Sequence, residues 1–134
     1  MEAVRQFYQD LDTRITADPR AVALNAAWSE CMAREGFDVD APIEIWNIEF
    51  PQIQRRHAQI VPVPVTSEDQ LSEDQRERLK QLLRDEISLA VAHFDCSQDY
   101  DVAMARLAAE IEQAFALEHE SQLRELAVAL AQDG

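Results

Sequence analysis

The chain has 134 residues, 47% of them hydrophobic, and 26 acidic against 12 basic side chains give a formal charge of −14. That length fits a single domain over 1–134 with a modest core, and the apolar content excludes a disordered chain. The acidic balance argues against nucleic-acid binding through a basic surface, and two glycines argue against a glycine-rich phosphate loop or a turn-dense β fold.

Val4, Phe7, Tyr8, Leu11 and Ile15 recur at helical spacing and predict an amphipathic helix over about residues 2–17. Asp18-Pro19 then offers an N-cap followed by a proline at the first helical position. The second helix is expected to run to about Glu35 and to stop at Gly36, with Val22, Leu24, Trp28, Cys31 and Met32 facing inward.

Phe37–Asp40 reads as a connector. Ile43, Trp46, Phe50 and Ile53 return to helical spacing, but Pro51 interrupts them. The expectation is a short helix to about Phe50 and a kinked or separate turn to about Ala58. Residues 59–66 contain Val-Pro-Val-Pro-Val and read as an extended connector between the short helices of 2–58 and a long helical hairpin over 67–132.

Ser67-Glu-Asp-Gln70 and Ser72-Glu-Asp-Gln75 are two successive capping-box patterns, so two helix starts are offered. The helix that follows, to about residue 96, carries Leu79, Leu82, Leu83, Ile87, Ala90, Val91 and Phe94, while Leu82, Leu89 and Cys96 form a second spacing. Ser97-Gln98-Asp99 is the expected hairpin turn. From Tyr100 the stripe is Met104, Leu107, Ala108, Ile111 and Phe115, then Leu123, Leu126 and Leu130, a helix of about 30 residues, or roughly 45 Å.

The acidic excess is distributed along the chain, and eleven of the twelve basic residues are arginine. Spread charge describes a self-repelling, soluble surface, or a negative face that steers towards a basic partner. No run approaches the roughly 18 apolar residues of a membrane span. No secretory signal opens the chain, because Met1-Glu2-Ala3-Val4-Arg5 already reads as helix. Export would therefore require a leader, or a lipobox, trimmed from upstream.

Chemistry-bearing patterns are sparse. None of His57, His93 and His119 has a glutamate three residues before it, and there is no Cys-x-x-Cys or Gly-x-Ser-x-Gly. His93 stands one turn before Cys96, a reactive pair only if Cys96 is a free thiolate. Glu118 and His119 interrupt the last apolar stripe and are the candidates for a metal or proton site. Asp95, Asp99 and Asp101 fail as a calcium loop, since Tyr100 and Arg106 stand where glycine and glutamate are needed. Trp46, Phe50 and Tyr8 could line a ligand pocket, or could be core. Cys31 and Cys96 both lie on apolar stripes, which fits either one bridge or two buried thiols.

Trp-Ser-Glu-Cys-Met-Ala-Arg-Glu-Gly-Phe at 28–37 and Ile-Ser-Leu-Ala-Val-Ala-His-Phe-Asp-Cys at 87–96 stand ahead of a long acidic, alanine-rich helix. In this the chain resembles a group of small exported proteins and lipoproteins of actinobacteria. Those proteins carry a Trp-x-x-Cys-Met motif and an Ala-Val-Ala-x-x-Asp-Cys motif in the same order. The resemblance covers about residues 4–130. It implies an extracytoplasmic helical domain with Cys31 paired to Cys96, and it brings no catalytic residue and no cofactor.

The expectation is an all-α protein: a long antiparallel αα-hairpin with two or three shorter N-terminal helices packed on it and one disulfide. Its function is read as non-enzymatic, through protein–protein interaction or self-association, with Leu123, Leu126 and Leu130 as the partner-binding candidates and a homodimer as one form. The alternatives are an acidic inhibitor or immunity-type protein that binds a basic partner, and a small-ligand or metal carrier.

Overall fold

In the computed structural model, which describes residues 2–61 and 70–133, the chain forms α1 (Glu2–Ala17), α2 (Pro19–Arg34), a π-helical turn (Ile45–Glu49), α3 (Phe50–Ile60), α4 (Glu73–Glu118) and α5 (Glu120–Asp133). The described residues are all helix and connector, as the sequence led one to expect. By contact they divide into two units, one of residues 1–24 and 99–134, the other of residues 25–98.

The helix ends follow local chemistry. Asp18 Oδ1 accepts the Arg20 backbone N–H at 2.8 Å, and Pro19 opens α2 where no N–H is needed. At the other end Gly36 adopts a φ of 93°. The Gly36 N–H donates to Ala33 and the Phe37 N–H to Met32, the paired bonds of a Schellman motif. Ser72 caps α4: its Oγ accepts the Gln75 N–H at 3.1 Å, and Gln75 Oε1 accepts the Ser72 N–H at 2.8 Å. The alternative start at Ser67 lies outside the described residues, as does most of the extended connector; Ile60 within that stretch still belongs to α3.

Two boundaries differ from expectation. Ser97–Asp99 is not a turn, and α4 passes through it as continuous helix, so the long hairpin is replaced by one 46-residue helix. The segment holds no glycine or proline to stop a helix, and the Ser97 hydroxyl, which could compete for backbone, is occupied by side chains. A short irregularity falls instead at His119, where the ladder still continues: His119 N–H donates to Phe115, and Leu123 N–H to His119. The second difference is at Pro51, which starts a helix. The Phe50 N–H donates five residues back to Ile45, and this wider turn seats the proline in the first turn of α3.

The first unit is built on Phe7, Leu11, Ala21, Leu107, Ile111 and Phe115, with Ile15, Leu24, Met104 and Leu123 partly buried against them. The Phe7 and Phe115 rings pack in a tilted arrangement, 5.0 Å between centroids. In the second unit the most deeply buried side chains are Trp28, Met32, Val39 and Ile45. Cys31 on α2 is bonded to Cys96 on α4, with Cα atoms 5.7 Å apart.

Candidate interaction surface

Beside the disulfide lies a short polar chain. The Trp28 indole Nε1–H donates to Ser97 Oγ at 3.0 Å, and Ser97 Oγ lies 3.2 Å from His93 Nδ1. The His93 ring meets the Trp28 ring edge-on. Ser97 is buried and its oxygen is shared between two ring nitrogens, so this cluster holds α2 to α4. Cys96 is spent in the bridge and forms no thiolate with His93.

The metal candidates Glu118 and His119, at the junction of α4 and α5, have other partners. Glu118 Oε2 accepts from Arg14 at 2.6 Å, and that guanidinium holds the Glu118 carboxyl below its usual range. The Arg14 guanidinium also covers the Phe115 ring at 4.8 Å. His119 stacks on Phe115, and its Nδ1 lies 2.9 Å from the Phe115 carbonyl. Among the described residues no three histidine, cysteine or carboxylate side chains converge as metal ligands. Of the expected partner-binding leucines, Leu123 packs on the core of its own unit, Leu126 is half-buried and Leu130 is exposed.

Two of the clefts among the described residues have mostly apolar linings. In the first unit Leu24, Ala103 and Leu107 floor an open cleft of about 620 Å³ between Arg20 and Arg106. Asp18 and Glu110 engage Arg20, which keeps Asp18 ionised to lower pH than an ordinary aspartate. In the second unit Trp46, Phe50, Pro51 and Ile53 face Glu86 of α4 across about 350 Å³. Trp46 and Phe50 lie 5.0 Å apart, and Trp46 is largely exposed. Tyr8 belongs to the first unit, where it stands edge-on to Phe7.

The largest departure from a solvated helix is on α4. Leu82, Leu89, Ala92 and Cys96 are buried. Leu83, Ile87, Val91 and Phe94 are each more than half exposed. At about 100° per residue, the two sets lie on opposite sides of the helix. The stripe through Leu83 and Phe94 that the sequence suggested as inward is therefore the outer one. The spacing Leu82, Leu89, Cys96 was the signal for the true inner face, and the second apolar stripe on the same helix is left exposed.

Among the described residues no helix is long and apolar enough to cross a membrane. Compared with protein-family models, with curated proteins and with solved structures, the chain matches none.

Proposed function

We propose that the chain is an exported, disulfide-locked helical protein that acts by binding protein and performs no catalysis. The observation that carries this reading is the outer face of α4, where Leu83, Ile87, Val91 and Phe94 stay exposed opposite a fully used inner face. A helix with one core to serve gains nothing from a second apolar stripe unless another surface covers it. Support for export comes from the Cys31–Cys96 bond, since such bonds persist in oxidising compartments, and from the cysteine motifs noted above.

A photocrosslinking side chain at Ile87, installed in the producing cell, is expected to give a discrete protein adduct, while the same group at polar Glu112 gives none. No adduct at Ile87 would remove the interaction reading. Thiol alkylation of the unreduced, denatured protein from those cells is expected to label neither cysteine; labelling of both would remove the export reading.

One observation favours a second function. The first unit's cleft has an apolar floor, and Arg106 at its rim has no ion pair among the described residues. This suits a small amphipathic anion. Dodecanoate is then expected to raise the melting temperature, and Arg106→Ala to abolish the rise; no shift with the unsubstituted protein counts against it.

A further inference from the structure

The outer stripe of α4 has a charge pattern at its ends. Lys80 and Arg84 flank Leu83 at the N-terminal end, and Asp95 flanks Phe94 at the C-terminal end, with Gln98 one turn beyond. Neither Arg84 nor Asp95 has an ion pair among the described residues, and both are exposed. At about 100° per residue Arg84 and Asp95 fall on the same flank of the stripe. In an antiparallel helix pair, like flanks of the two helices face each other.

We propose that the occupant of this face is a second copy of the chain, paired antiparallel through α4 about a two-fold axis near residues 89–90. To within a residue, that axis brings Leu83 against Phe94 of the other copy, and Ile87 against Val91. Small Ala90 lies at the axis, where it lets the backbones approach. The same operation sets Arg84 against Asp95 and Lys80 against Gln98, each contact occurring twice. The stripe is thus self-complementary in shape and in charge, which is what an isologous interface requires.

The four large side chains offer on the order of 400 Å² of exposed surface per copy, about half of what each partner buries in a standard stable interface. An interface of that size is at the small, reversible end of the range. The pairing rests on the reading of the α4 face as an association surface.

Sedimentation velocity of the full chain from about 5 to 500 μM, at about 0.15 M salt to screen the net charge, is expected to show a monomer–dimer equilibrium. Arg84→Asp and Asp95→Arg should each weaken it by about tenfold or more, and the double variant should return it to near the original value. Circular dichroism melts establish that each variant is folded. A strict monomer throughout the range overturns the proposal, and so does a dimer indifferent to both reversals. The crosslink at Ile87 separates the two levels. An adduct with a different protein alongside a monomeric chain overturns self-pairing alone, whereas no adduct overturns the association surface as well.

Discussion

At the scale of single residues, buried polarity among the described residues is confined to Ser97, and that hydroxyl has partners. Among the described residues no buried side-chain nitrogen or oxygen lacks one. The Trp28–Ser97 bond is the informative case, because Ser97→Ala removes the acceptor and leaves the indole in place. A loss of about 1–2 kcal/mol in urea denaturation is expected, with less than the additive loss when Trp28→Phe is combined with it. Met32 is fully buried, and Met32→Ala should cost about 2–5 kcal/mol through the cavity it leaves. The Glu118 carboxyl titrates below its ordinary value because Arg14 donates to it. A lowered folded value favours the carboxylate form in the native state. Its contribution is therefore complete above the usual glutamate value and is lost as pH falls through the lower folded one. An NMR titration should place the Glu118 midpoint below that of a solvated glutamate, and Arg14→Gln should move it back up. Burial pushes the Tyr100 phenol in the other direction, with Asp101 adding to the rise.

At the scale of elements, ends are decided by short signals, and those signals are testable one at a time. Gly36 has open space where a Cβ would stand, so Gly36→Ala costs only the left-handed backbone, about 1–2 kcal/mol by thermal melting. Ser72→Ala opens the capping box and should cost about 1 kcal/mol. These boundaries were legible because a cap is a bond between residues two to five apart, specified by local sequence. The hairpin turn placed at Ser97–Asp99 was not, because serine and aspartate break helices only when their side chains are free to bond the local backbone. Ser97 is occupied by Trp28, 69 positions away, a partner that sequence spacing does not reveal.

At the scale of the molecule, the covalent tie between α2 and α4 closes a loop with a sequence separation of 65. The chain-entropy model gives about 4 kcal/mol of stabilisation for such a loop. Reduction, or Cys31→Ala with Cys96→Ala, should lower the unfolding free energy by about that amount in urea. Nearly equal stability in the two forms would mean that the packing around Trp28 and Met32 holds the second unit without the bond. The net charge of −14 acts at the same scale. It opposes association at long range, which is why complementary charge at the rim of the α4 face has to be local and paired.

The sequence alone determined the all-helical class, the amphipathic first helix, the caps at Asp18 and Gly36, the capping-box pattern at Ser72 as one of two offered helix starts, and the inward placement of Trp28 and Met32. Each of these follows from periodicity or from bonds within a single turn. Only the tertiary structure decided which stripe of α4 is the core. It also decided that α4 does not turn back at Ser97, that Leu123 joins the core of the first unit, and that Glu118 and His119 are claimed by Arg14 and Phe115. The physical reason is that one amphipathic helix with two apolar faces is locally equivalent either way round. The choice between the faces is made by what the rest of the chain buries against it.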